Sequence, residues 1–285
     1  MAWSAGRPQV TGNGSRAVDR RIDAPNEPTD EECHMSRSVT RRTVLGLGGT
    51  GAMAVFAAAA GLVGVTRAAA YSWPAGLRRG ASGAAVRELQ IRVAGWAADS
   101  AQHACVAVDG AFGAGTEAAV QRFQRAYGLT ADGVVGARTQ SALNALGGAD
   151  GSTAHFDWAE FQSKDGAGFS GGNVDAATVR ENVRRLMYKL EALRKKAGDR
   201  AVTIDSGFRS KAHNASVGGR PNSMHLYGVA ADTIVAGLAT RSVYRLAETC
   251  GLSGLEAYTH SWQHVDSRVE YAYGAQSWWW ESGTV

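Results

Sequence analysis

Apolar residues recur at a spacing of three to four in three stretches of the chain. Val86, Leu89, Gln90 and Val93 mark one stripe, and Ala119, Val120, Phe123, Gln124 and Tyr127 mark a second. Such stripes predict helices that bury against each other. Between and after them stand two versions of one turn, Asp109-Gly110-Ala111-Phe112-Gly113-Ala114-Gly115-Thr116 and Asp132-Gly133-Val134-Val135-Gly136-Ala137-Arg138-Thr139, a repeat of D-G-x-x-G-x-x-T. Asp-Gly supplies a tight turn, the later Gly tolerates a positive φ, and the Thr is expected to cap the helix that follows. The longest stripe, Val179, Val183, Leu186, Met187, Leu190 and Leu193, predicts a helix over 175–197, with its Arg and Lys residues read as a solvated face. Ala201-Val202-Thr203-Ile204, Thr233-Ile234-Val235 and Trp262-Gln263-His264-Val265-Asp266 read as strands. The fold class is therefore α+β: a small three-helix module followed by a mixed domain.

The first 70 residues follow another pattern. From Ser36 the chain reads SRSVTRRTVLGLGG, followed by an uncharged Ala/Gly/Val-rich run to Val65 and then Thr66-Arg67-Ala68-Ala69-Ala70. The pair Arg41-Arg42, the apolar run and small residues at Ala68 and Ala70 make a twin-arginine export signal, with cleavage expected after Ala70. An uncleaved anchor is the alternative, since the run is about long enough to span a bilayer. Its Gly and Ala content makes it weakly hydrophobic. Met35, just before the signal, is a candidate start of translation. The expected organisation is thus a leader and signal at 1–70, a module at 71–148, a Gly-rich linker at 149–154 and a second domain at 155–285.

Composition narrows the classes. A chain of 285 residues with 45% hydrophobic residues, eight Trp and 20% charged residues is neither disordered nor collagen-like. From Tyr71 onward, 22 basic and 20 acidic residues leave a net charge of only +2. Nucleic acid and anionic membrane are therefore not the expected partners, and membrane contact is expected only transiently, through the signal segment. Of three cysteines, Cys33 precedes the signal, so only Cys105 and Cys250 would leave the cell. Two cysteines do not make a disulfide framework, and their pairing is open. A monomer is expected.

The segments G-x-x-G-x-x-V-x-x-L-Q at 80–90, D-G-x-F-G-x-x-T-x-x-A-V-x-x-F-Q at 109–124 and G-L-x-x-D-G-x-x-G at 128–136 resemble the peptidoglycan-binding-like module. The resemblance implies attachment to cell-wall glycan or stem peptide. The residues that carry it are mostly fold-makers, and Phe123 and Tyr127 are read as core rather than as a sugar platform.

Chemistry concentrates further on. His225 and Asp232 lie seven apart across a glycine, and His264 offers a second imidazole; two neutral imidazoles and one carboxylate are a set that zinc binds, with the fourth tetrahedral position left to water. Taken alone the triplet is weak. In context, S-x-H-x-x-G-x-A-x-D at 223–232, preceded by Ser206-Gly207-Phe208-Arg209-Ser210 and followed by W-x-H-V-D at 262–266, resembles the zinc D-alanyl-D-alanine carboxypeptidase family, whose fold is shared by hedgehog-like and dipeptidase relatives. The resemblance runs from about Phe156 to Arg268. It implies an α+β domain with an antiparallel sheet, Zn2+ on His225, Asp232 and His264, Ser223 on the substrate, and Arg209 beside the scissile carbonyl as oxyanion or carboxylate ligand. The implied substrate is the peptidoglycan stem peptide, most directly its terminal D-Ala-D-Ala bond, cut outside the cell or in the wall.

One departure stands out. The well-known branch of that family carries a carboxylate three residues before the last histidine, or a histidine two before it; here those positions hold Ser261 and Trp262. Strand alternation puts residues 262, 264 and 266 on one face, which favours Asp266 as the proton acceptor, with His260 and Glu256 as further candidates. An endopeptidase acting on cross-links and a non-catalytic zinc-containing wall-binding protein are the alternatives. Trp278-Trp279-Trp280 reads either as an aromatic platform or as a segment packed back over the sheet, and the usual burial of large aromatics favours the second.

Overall fold

The computed structural model describes residues 70–256, 261–274 and 276–280. The export signal, its cleavage or anchoring, Met35, Cys33 and His260 lie outside the described residues. The module consists of α1 (Ala84–Val93), α2 (Ala114–Ala126) and α3 (Ala137–Ala145). Val86, Leu89, Val120, Phe123, Val135 and Leu143 close its core, and Phe123 has no exposed surface.

The two repeated turns are held by glutamines rather than by helix caps. Gln90 Nε2 donates to Asp109 Oδ1 at 2.7 Å, to the Ala111 carbonyl at 3.0 Å and to Thr116 Oγ1 at 3.1 Å, while its Oε1 accepts from Gly110 N at 2.8 Å. Gln124 repeats the set with Asp132 Oδ1 (2.9 Å), the Val134 carbonyl (2.9 Å), Thr139 Oγ1 (3.1 Å) and Gly133 N (2.9 Å). The N-caps of α2 and α3 are Gly113 and Gly136, without a side-chain cap. The expectation that Thr116 and Thr139 cap these helices is corrected: both are buried inside the first turn, where each hydroxyl serves a glutamine.

The second domain is built on α4 (Ala176–Lys196), capped by the Asp175 side chain on Ala177 N and Thr178 N, and on a five-stranded sheet. Its strands are β1 (Val202–Ser206), β2 (Ala230–Val235), β3 (Gly254–Glu256), β4 (Gln263–Asp266) and β5 (Trp279–Trp280), in the order β1-β2-β4-β3-β5. All pairs are antiparallel except β3 with β5. Two short helices complete it, α5 (Lys211–Ser216) and α6 (Thr240–Ala247). Ala231, Val265 and Leu255 align across the sheet and are fully buried. This apolar row covers the helical side, where α4 contributes Val179, Val183, Leu186, Met187, Leu190 and Leu193, each buried and worth roughly 1.5–3 kcal/mol on removal from water.

Three basic residues of α4, Arg184, Lys189 and Lys196, are turned to partners rather than to solvent, which corrects the sequence reading of a wholly solvated basic face. Arg184 Nη2 donates to Glu88 Oε1 of α1 at 2.5 Å, Lys196 Nζ to the Gly95 and Thr249 carbonyls at 3.2 and 2.9 Å, and fully buried Lys189 to the Gly251 carbonyl at 2.6 Å and Ser267 Oγ at 3.0 Å, besides pairing with Glu270. The module lies against that side of the helix. At Gly95 the approach is so close that a Cβ would collide with Ala192. The 149–154 segment, expected as a linker, folds into a turn in which Gly148 N donates to the Ser152 carbonyl at 2.9 Å and Ser152 and Thr153 are buried.

Candidate metal centre

The strand register sets the site in one row. Ser206 of β1 pairs with Asp232 of β2, Asp232 with His264 of β4, and His264 with Glu256 of β3. Directly opposed residues share a face, so four polar side chains stand in line on the side of the sheet away from α4. His225 joins from the 3-10 turn Met224–Tyr227, whose start is capped by Ser223 Oγ accepting from His225 N at 3.4 Å.

His225, Asp232 and His264 each present one ligand atom, and the three atoms lie within 4.8 Å of one another. Asp232 Oδ1 is 3.3 Å from His225 Nε2 and 3.0 Å from His264 Nδ1, and the two ring nitrogens are 3.3 Å apart. Every other polar atom of the trio is held from behind. His225 Nδ1 donates to the Gly207 carbonyl at 2.6 Å, which leaves Nε2 of the neutral ring as a lone pair facing inward. Asp232 Oδ2 accepts from Arg209 Nη2 at 2.6 Å, and Arg209 Nε donates to Ser206 Oγ at 2.8 Å. His264 Nε2 lies 3.3 Å from Asp266 Oδ2. Lone pairs converging on one buried point with their outer atoms fixed are the donor set of a borderline divalent cation such as zinc.

The electrostatics differ across the trio. Burial pulls His225 towards the neutral form and outweighs the attraction of Asp232. Burial would raise Asp232, but the charge of His225 and the hydrogen bonds of both imidazoles hold it well below the usual carboxylate range. His264 is driven down by burial yet raised to about 9 by its bonds to Asp232 and Asp266. Asp266 in turn is held low against burial by His264 and Arg268.

A cavity of about 480 Å³ opens over the trio, lined among others by Arg209, Arg220, Ser223, Glu256, Trp262, Arg268 and Trp279. Asp266 does not line it. Its carboxylate lies behind His264, fully buried, gripped by Arg268 through Nε (3.0 Å) and Nη2 (2.5 Å) and by the Arg268 backbone N–H (3.0 Å). It fills the space where a Cβ on Gly254 would stand, so glycine is required there. Asp266, expected as the proton acceptor, therefore stands behind His264 rather than in the cavity wall. Alternation correctly gives it the face of His264, but the next row along β4 ends at the wrong ring nitrogen to meet water over the trio. Glu256, opposite His264, lines the cavity instead.

The tryptophan tail divides by strand alternation. Trp280 packs on the core and donates from Nε1 to the Leu252 carbonyl at 3.3 Å, while Trp279 turns to the cavity with the Arg268 guanidinium 5.1 Å from its ring centroid. Trp278 stacks on His103 of the module's α1–α2 loop at 4.9 Å, and Trp280 meets the same imidazole edge-on at 4.7 Å. Arg220, which the sequence reading did not name, also lines the cavity, as does Trp279, read there only as part of the 278–280 block; the signals were a Gly-Gly-Arg run ahead of the S-x-H motif and the period of two in the tail. Cys105 is exposed, Cys250 is buried, and both are free.

Two stretches of the chain match known protein families. Residues 154–266 match the family described as Peptidase M15, and residues 82–143 match the putative peptidoglycan binding domain. A zinc D-Ala-D-Ala carboxypeptidase of Streptomyces albus G is 48% identical over 162 residues, which are 57% of this chain and 62% of that protein, so less than two thirds of the relative is spanned. The crystal structure of the SleB N-terminal domain shares 39% identity over 25% of this chain and 93% of its own, with a TM-score of 0.21. By these matches the chain joins a region of peptidoglycan-binding type, residues 82–143, to a region of Peptidase M15 type, residues 154–266.

Proposed function

We propose that this protein is an exported, zinc-dependent peptidase that hydrolyses the terminal D-Ala-D-Ala bond of peptidoglycan stem peptides, with residues 71–148 as its wall-binding module and 155–285 as its catalytic domain. The observation that carries this reading is the convergence of His225 Nε2, Asp232 Oδ1 and His264 Nδ1 beneath a cavity. These three residues hold the metal. Bound zinc supplies a Lewis acid that polarises the scissile carbonyl and acidifies water.

The remaining roles belong to the chain. Arg209 has donors left over after serving Ser206 and Asp232, and these stabilise the developing oxyanion. Glu256, the described base candidate that lines the cavity, takes the proton from water and returns it to the leaving amine. Ser223 shapes the rim while fixing the turn that carries His225. Asp266 positions His264 from behind, as a carboxylate behind a metal-bound imidazole does. The module raises the local concentration of a polymeric substrate around the site. Export through the Arg41-Arg42 signal puts the enzyme where that polymer is.

The test is digestion of purified muropeptides, with products identified by mass, before chelation, after chelation and after zinc is restored. Loss of one terminal D-Ala that disappears with the metal and returns with it is the expected result. Cleaved cross-links would make the enzyme an endopeptidase, and bound zinc with no product at all would make it a wall-binding protein.

A further inference from the structure

Three guanidinium groups line the cavity, and two are already committed. Arg209 bonds Asp232 and Ser206, and Arg268 grips Asp266 and covers Trp279. Arg220 has neither an ion pair nor a side-chain hydrogen bond among the described residues, and it is exposed at the cavity wall.

Its backbone, in contrast, is fixed. The Arg220 carbonyl accepts from Asn214 Nδ2 at 3.0 Å and from Ser223 N at 3.0 Å, and Gly219 N donates to the Asn214 carbonyl at 2.7 Å. Asn214 is itself buried, and a Cβ on Gly219 would collide with its amide. A rigid loop thus presents one uncompensated cation to the cavity. A planar guanidinium in that situation is suited to a bidentate carboxylate.

We propose that Arg220 receives the free C-terminal carboxylate of the peptide, which makes it the residue that selects a chain end over an internal bond. The inference rests on the peptidase reading. It relieves Arg209 of one of its two expected roles: Arg209 serves the carbonyl and Arg220 the carboxylate. The carboxylate of a peptide's last residue lies one residue beyond the scissile carbonyl, so separate donors can meet the two groups.

The probes are diacetyl-L-lysyl-D-alanyl-D-alanine and its C-terminal amide. Binding to the zinc-loaded full-length protein is followed before turnover by stopped-flow tryptophan fluorescence, since Trp262 and Trp279 line the cavity. Hydrolysis is measured in parallel. Wild type is expected to bind the acid more tightly than the amide. Arg220→Gln is expected to weaken the acid about 10- to 100-fold, as loss of a charged hydrogen-bonded pair does, with kcat nearly unchanged and the amide unaffected. Arg220→Lys should recover part of the preference. Equal binding of acid and amide by wild type, or undiminished discrimination in Arg220→Gln, would overturn the proposal. If wild type binds the acid selectively but cleaves nothing, the peptidase reading falls while the carboxylate site stands.

Discussion

Two clusters of buried polar side chains organise this protein, and they are built on opposite logic. In the module, Gln90 and Gln124 each satisfy every hydrogen-bonding atom of the side chain, with an Asp, a Thr and two backbone groups around it. Donors meet acceptors, the groups are mostly neutral, and nothing is left for a ligand. In the second domain, His225, Asp232 and His264 satisfy their outer atoms and turn the inner ones on each other. Acceptors crowd acceptors, which is tolerable only with a proton or a cation between them. A closed polar cluster makes a fold, whereas one left open at a single point makes a site.

The largest effect is expected where the open cluster is broken. Asp232→Asn keeps the shape of the side chain and a bond to Arg209 but removes the anionic ligand. Metal content should drop from about one zinc per chain to near none, and peptide cleavage should vanish. The melting temperature should fall only to that of chelated wild type, since the stabilisation lost is that of the bound metal. Metal analysis and calorimetry on one preparation decide it; a variant that keeps its zinc would show that Asp232 is no ligand.

The closed cluster should behave in reverse. Gln124→Ala strands the Asp132–Thr139 turn by removing four hydrogen bonds, at a cost of about 2–4 kcal/mol in unfolding free energy. Zinc content and cleavage of a small soluble peptide should remain, because no residue of that turn lines the cavity over His225, Asp232 and His264. Urea denaturation gives the first quantity and a peptide assay the second. A change below about 0.5 kcal/mol would mean that the turn holds without its glutamine.

The sequence already contained much of this contrast. Periodicity located α1, α2 and α4, and the triplet His225, Asp232 and His264 was visible because its spacing sits in a recognisable frame. What stayed hidden depends on neighbours that no local pattern reveals. The basic side of α4 looks like any solvated face until the module's Glu88 and the carbonyls of Gly95 and Thr249 cover it. Gln90 and Gln124 sat inside apolar stripes and read as core, while the hydroxyls that serve them read as caps. Alternation along β4 gave Asp266 its face but could not say which ring nitrogen of His264 it would meet. Likewise, the three tail tryptophans read as one block until pairing with β3 sent Trp279 to the cavity and Trp280 to the core.

Asp266 sharpens the comparison, since it stands between the two types. Like the glutamines it is fully satisfied, by Arg268 and its backbone N–H. Like the ligands it is charged, and its remaining contact fixes an imidazole of the trio. Asp266→Asn keeps the volume and one acceptor but ends the charge that orients His264. If the residue acts only from behind the ring, zinc affinity should fall by about 10- to 100-fold. At saturating zinc, kcat should then recover most of its wild-type value, because the proton acceptor over the cavity is untouched. Competition with a chelator of known affinity measures the first effect, and turnover across a zinc titration the second. A variant that binds zinc normally yet cannot turn over would restore Asp266 as the catalytic base, and with it the idea that the whole β4 face, rather than one point on it, is open to substrate.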